Sequence, residues 1–156
     1  VQMHLDIVGR GPQAQRLEAL TAERGVDAAV TFHGYQVGQE LERRLAEATV
    51  AVAPYRDDEH SFTRYADPSK LKAYLAAGLP IVTTGVPPNA RDLGEGGAAV
   101  VVDDDPEAFA AALERLATDG ERWRRMRGAA LEEAGRYDWP IVLAPVLERL
   151  GYAPSG

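Results

Sequence analysis

Five short apolar runs recur along the chain, and each is followed by a turn and then by a helical pattern. The runs are Met3 to Val8, "AVTFHG" closing at Gly34, "TVAVAPY" closing at Tyr55, "LPIVTT" closing at Thr84 and "AAVVV" closing at Val102. Short β-branched runs suit strands covered on both faces, and a parallel neighbour needs a crossover segment of about a helix's length. The alternation therefore predicts an α/β fold: a doubly wound parallel sheet with helices on both faces.

The segments between the runs fit that reading. Leu17 and Leu20 share a face of a helix that Arg24-Gly25 ends, and "GQELERRLAEA" is amphipathic with Leu41 and Leu45 four apart. "PPNARDLGEG" reads as a short helix or turn. In "DDDPEAFAAALERLATD", Asp105 is placed to cap, Pro106 to take the first helical position and Glu107 to follow, which is favourable helix-start chemistry. Two more helices follow, around "GERWRRMRGAALEEAG", where Trp123 and Met126 read as core residues, and around "WPIVLAPVLERLG".

Composition narrows the function. A chain of 156 residues is one domain's worth, and the net charge of −7 argues against general nucleic-acid binding while leaving room for a small basic pocket. There is no cysteine, so disulfides and thiolate metal clusters are excluded. No apolar run approaches the roughly 20 residues of a membrane-spanning helix. The chain opens almost directly on a strand, so the expectation is a piece of a longer protein.

In open α/β sheets ligands bind outside the carboxyl ends of the strands. Those positions hold Gly9-Arg10-Gly11, His33-Gly34-Tyr35, the long polar loop from Pro54 to Asp67, Thr83 to Asn89, and three aspartates from Asp103. Gly9-Arg10-Gly11 joins a strand to a helix, where backbone N–H groups can hold phosphate, although a plain tight turn explains it equally well. Ala14 or Gln15 stands where a third fingerprint glycine would be, which disfavours a dinucleotide-linked oxidoreductase. The helix opening at Pro68 says more. Asp67 is placed to cap it, and Ser69 and Lys70 fall where free N–H groups point outward. A lysine there opposes the helix dipole by roughly a few tenths of a kcal/mol, and an anionic ligand would reverse the sign. Ser69 and Lys70 thus read as arranged for a diphosphate, against a solvated lysine as the plain alternative. Lys72 faces elsewhere. His4, His33 and His60 are too dispersed for a metal triad, and Asp103-Asp104-Asp105 reads as capping and solvent-facing carboxylates.

Taken in order, "LDIVGRGP", "VTFHGYQ", "TVAVAPY", "DPSKLKAYLAAGLPIVTTGVP", "GGAAVVVDDDPEAFAAALERL" and "RWRRMRGAALEEAGRYDW" resemble the carboxyl-terminal donor-binding domain of group 1 GT-B glycosyltransferases, across nearly the whole chain. The resemblance implies a Rossmann-like half of a GT-B fold, residues 1–156 forming one donor-binding domain of a longer two-domain chain. It implies a nucleotide-sugar donor, with Gly9, Arg10 and Gly11 near the diphosphate. Gly34, Tyr35 and Gln36 would border the base, and Asp67, Ser69, Lys70 and Leu71 would face the phosphates or the sugar. It implies no cofactor and no metal, a retaining transfer to an acceptor hydroxyl, and a cytoplasmic protein with no membrane span, the full-length form being free to associate peripherally with a membrane. It names no catalytic residue.

Two departures stand against the resemblance. The family often carries two glutamates eight positions apart that hold the ribose; aligned on "AYLAAG", Tyr65 and Ala73 stand there instead. The cationic glycine-arginine … lysine-glycine segment and the acceptor-binding amino-terminal domain are both missing, so this chain alone is expected to bind donor poorly and to catalyse nothing. Ala73 keeps open an alternative, a non-catalytic nucleotide-binding or interaction module with a decayed ribose site. The final helix, about Asp138 to Leu150, either packs on this domain or crosses to the missing one, as its counterparts do in the family.

Overall fold

In the computed structural model the chain divides into two compact units, Val1–Glu47 and Ala48–Gly156. Residues 1–57 and 62–152 are described; the middle of the long polar loop, with His60, lies outside the described residues. Strands and helices alternate up to the last strand, after which three helices follow in succession, and every strand pairing is parallel, so the α/β class predicted from the five apolar runs is the one adopted.

The first unit holds β1 (Leu5–Val8), α1 (Ala14–Glu23), β2 (Val30–Gly34) and α2 (Gln39–Glu47). β1 pairs with β2 in register from Leu5↔Val30 to Ile7↔Phe32, and a bulge then brings Val8 opposite Gly34. Because side chains alternate along a strand, His4 and Asp6 share one face of this ribbon with Thr31 and His33. They pair across it: His4 Nε2 lies 2.8 Å from the Thr31 hydroxyl, and His33 Nε2 bonds the Asp6 carboxylate. Leu17 and Leu20 of α1 are both 40% exposed, and no residue of that helix is buried.

The second unit holds β3 (Ala51–Ala53), α3 (Ser69–Ala76), β4 (Ile81–Thr84), α4 (Ala90–Glu95), β5 (Ala99–Val102), α5 (Pro106–Thr118), α6 (Gly120–Gly135) and α7 (Trp139–Arg149). Its sheet runs β3-β4-β5, with β4 central and buried along its whole length. Val82 packs with Ala112, Leu116 and Met126, and Val100, Val102 and Phe109 close around them, so α5 and α6 cover one face. On the other face α4 lies so close to β5 that a Cβ on Gly94 would stand 3.0 Å from a Val101 methyl. β3 stops earlier than its apolar run because Pro54 has no N–H to give the ladder.

The helix ends explain themselves. Asp105 accepts from the Ala108 N–H at 2.8 Å with Pro106 opening α5, as its sequence predicts, and Asp119 does the same for α6 through the Arg122 N–H at 2.9 Å. α3 ends at Gly78, whose φ of +67° places it in the left-handed region, while Leu131 and Arg127 of α6 press to within 3.1 Å of where a Cβ would be. Arg127 also donates to the Gly78 carbonyl at 3.2 Å, a cation at the negative end of α3. Met126 is a core residue as expected. Trp123 is only half-buried; its indole N–H donates to the Thr49 carbonyl at 2.8 Å and its ring carries the Arg127 guanidinium at 5.6 Å. α7 buries none of its residues, and Trp139, Ile141 and Val146 are more than half exposed. No described helix is long and apolar enough to cross a membrane.

Candidate functional site

The residues singled out by sequence fall into two groups, one in each unit. In the first unit the turns after β1 and β2 are tied together: the Gly9 N–H donates to the Gly34 carbonyl at 2.7 Å. Gly34 itself has φ +66°, a conformation that strains residues with a Cβ, and the space where one would project is open. Gly9-Arg10-Gly11 and Gly34-Tyr35-Gln36 are therefore brought side by side. α1 starts at Gln13 with no side-chain cap, which leaves its first N–H groups without a side-chain acceptor. Tyr35 is exposed, and Gln36 donates to Glu40 at 2.8 Å while its Oε1 is buried with no partner among the described residues. His33 is engaged with Asp6. The hydrogen bond from His33 is the main reason the Asp6 carboxyl is held below its usual range; its partial burial opposes this, and the charges of His33, His4 and Arg44 add to it.

The second group surrounds the amino end of α3. That helix begins at Ser69, and its N-cap is Pro68, not Asp67, so the capping role read for Asp67 is corrected. The cause is non-local: the Asp67 carboxylate pairs with the Lys72 ammonium and also accepts from Asn89 Nδ2 at 3.4 Å. The first turn of α3 consequently has no side-chain cap and no acidic residue. Ser69 and Lys70 are exposed there, while Leu71 points inward and is fully buried, packing the helix rather than facing a ligand.

Lys70 and Lys72 are the only lysines in the chain; its other cations, histidine aside, are arginines. Their surroundings differ. Lys72 has the Asp67 carboxylate and also lies over the Tyr137 ring at 5.0 Å. Lys70 has no carboxylate partner among the described residues, and its Nζ sits 4.8 Å above the Tyr55 ring centroid. The Tyr55 backbone is itself held from below. Its N–H donates to the Ala53 carbonyl at 3.0 Å, and its carbonyl accepts from the buried Thr84 hydroxyl at 2.6 Å. Next to this corner Tyr65, Ala66, Asp67, Pro88, Asn89 and Asp92 line a hollow of about 330 Å³. Arg64 forks onto both oxygens of Asp57, joining the two sides of the polar loop and lowering the Asp57 pKa through that hydrogen bond. Asp104 lies 3.5 Å from Arg56, and no group of three potential metal-ligating side chains comes together among the described residues.

Such a corner, with an uncapped helix start, one ammonium unpaired among the described residues and a carboxylate-lined hollow, suits an anion joined to a polyhydroxylated group. Residues 1–119 match the sequence profile of the family described as glycosyl transferases group 1. This chain belongs to that family. Among curated relatives, the D-inositol 3-phosphate glycosyltransferase of Corynebacterium urealyticum is 33% identical over 140 residues, covering 89% of this chain and 31% of that protein. Its namesake from Stackebrandtia nassauensis is 29% identical, covering 93% and 32%. The chain thus spans about a third of the length of the group 1 relatives it matches. Among solved structures, sucrose-phosphate synthase from Thermosynechococcus elongatus superposes with a TM-score of 0.74 at 22% identity, covering 97% of this chain and 39% of that one. The pneumococcal O-GlcNAc transferase GtfA, solved with UDP and GlcNAc, gives 0.73 at 18% identity, covering 95% and 29%. At these identities the likeness is one of fold.

Sequence reasoning placed Tyr55 and Asn89 on the ligand side, within the stretches that follow strand ends, without singling either out, and it missed Asp6. Only Asp6 carried a pairing signal, since it stands two residues from His4 as Thr31 stands from His33.

Proposed function

We propose that this chain is the donor-binding part of a glycosyltransferase, holding a nucleoside-diphosphate sugar whose sugar is passed to an acceptor hydroxyl. One observation carries the reading: of the chain's two lysines, Lys72 is neutralised by Asp67, whereas Lys70, in the first turn of α3, has no carboxylate partner among the described residues. In such a transfer the bond from the sugar's anomeric carbon to the diphosphate breaks, and negative charge gathers on the leaving diphosphate. Fixed N–H groups and an ammonium lower that barrier because they need not reorganise as the charge grows. The Ser69 and Lys70 amides and the Lys70 ammonium are the groups assigned to this work. Asp67, Asn89 and Asp92 are assigned to sugar hydroxyls. In the first unit, taken by itself, the Gly9-Arg10-Gly11 turn is read as a phosphate-binding turn and Gly34-Tyr35-Gln36 as bordering a base.

The charge assigned to Lys70 and the α3 amides makes the reaction metal-independent in this reading, and the family resemblance makes it retaining. The acceptor domain is assigned to the part of the protein outside these 156 residues, which fits the share of the relatives that the chain spans. The apolar side of α7 is read as facing that domain, so the chain by itself is inactive. The full-length protein is read as cytoplasmic, free to approach a membrane peripherally.

Titrating the full-length protein with UDP, GDP and ADP tests this, with chelator present in a parallel series. One diphosphate binds selectively and independently of chelator, and Lys70→Ala weakens it by about tenfold, the scale of one charge-assisted contact. A second reading rests on Ala73, which offers no acceptor to a ribose: a nucleotide-binding or interaction module without catalysis. Failure of every diphosphate to bind would favour it.

A further inference from the structure

We propose that Tyr55 is a positioning residue for Lys70, its ring face holding the ammonium over the amino end of α3 where a diphosphate is received. The inference rests on the donor-site reading and goes beyond it by naming what aims the cation. An exposed lysine samples many rotamers, and a helix amino end repels it, so something must hold it there if it is to be ready for an anion. No carboxylate does so among the described residues; a carboxylate would in any case neutralise the charge that the site needs. An aromatic face attracts the ammonium without neutralising it and leaves the hydrogens turned away from the ring free to donate. The 4.8 Å separation from the ring centroid lies within the range of that attraction.

The tyrosine is built for its ring. Its Oη is buried and has no hydrogen-bond partner among the described residues, so the hydroxyl is not what the position uses. Burial, with Tyr74 nearby, pushes its pKa up to about 12, which keeps the ring neutral across the working range of pH. Its placement is fixed from the core. The Thr84 hydroxyl donates to the Tyr55 carbonyl at 2.6 Å, and the Thr83 hydroxyl donates to the Ala53 carbonyl at 2.9 Å. Both threonines are at most 2% exposed. The carboxyl end of β4 thereby locks the exit of β3, the exit presents the ring, and the ring presents the ammonium. Lys72 over Tyr137 shows the contrasting case, a stacked lysine that also has a carboxylate and is not available to a ligand.

The full-length protein with selectively labelled lysine gives two readouts. By NMR, the Lys70 ε-protons, assigned by their absence in Lys70→Ala, show an upfield ring-current shift that Tyr55→Leu abolishes and Tyr55→Phe keeps. By titration with inorganic pyrophosphate and with UDP, GDP and ADP, Tyr55→Leu weakens the favoured diphosphate about two- to fivefold, the scale of one exposed cation–π contact. Tyr55→Phe rescues that loss, and in a Lys70→Ala background Tyr55→Leu has no further effect. Absence of the ring-current shift, or an equal loss from Tyr55→Leu in both backgrounds, would overturn the proposal. If Lys70→Ala weakens binding and Tyr55→Leu does not, the positioning role falls while the donor site stands. If the shift is present and Lys70→Ala changes nothing, both fall.

Discussion

The two units use the same alternation of strand and helix in opposite ways. In Val1–Glu47 every described residue except Gln36 is at least partly exposed, and one face of the β1–β2 ribbon carries a polar ladder of His4, Thr31, Asp6 and His33. In Ala48–Gly156 the apolar core gathers around a central strand with no exposed residue, and polar groups within it are threonines bonded to backbone. One candidate loop group is therefore set by backbone hydrogen bonds and a glycine φ angle, the other by side chains mounted on packed structure. Geometry that depends on packing is sensitive to volume; geometry that depends on φ and carboxylates is sensitive to β-carbons and pH.

The largest expected contrast is between two leucines. Leu75→Ala, at a fully buried position on α3, removes apolar contacts and leaves a cavity, so it destabilises by about 2–5 kcal/mol. Leu20→Ala on α1, at 40% exposure, costs less than about 1 kcal/mol. Urea unfolding of both variants measures this, and equal losses would break the comparison. Next comes Gly78→Ala. It forces a β-carbon into left-handed backbone and against Leu131 at 3.1 Å, for a loss of about 1–3 kcal/mol in the same assay. A neutral result would mean that α6 yields easily at that point. The smallest effect belongs to Asp6, which is half exposed. Its native pKa lies below the unfolded value, so its contribution is present above about pH 4 and is lost as pH falls through the lowered native value. Asp6→Asn therefore lowers stability slightly at neutral pH and leaves it unchanged in strong acid, which flattens the acid limb of the stability profile. An unchanged acid limb would show that His33, His4 and Arg44 do not hold this carboxylate in solution.

What the sequence disclosed follows the range of each interaction. Strand positions were legible because β-branched runs and their closing turns are local, and Asp105 was legible as a cap because its acceptor and donor lie three residues apart. Asp67 was misread for the same reason: a local rule made it a cap, while Lys72 and Asn89, the latter 22 residues away, claimed its carboxylate. Pro54 trimmed β3 by a rule readable in advance. Leu71 was counted with its neighbours as facing a ligand, yet Leu75 lies four residues on, one helical turn away, and both are buried. The stack of Lys70 on Tyr55 joins two segments across the long loop, and nothing in either segment alone announces it.

The threonine clasp at the end of β4 has a consequence for how such a corner responds to its medium. Neutral hydroxyl-to-carbonyl links shielded from solvent do not titrate and are scarcely screened by salt, whereas the attraction between an exposed ammonium and a phosphate is. Raising the ionic strength should therefore loosen the grip on an anion without altering the shape of the seat that receives it.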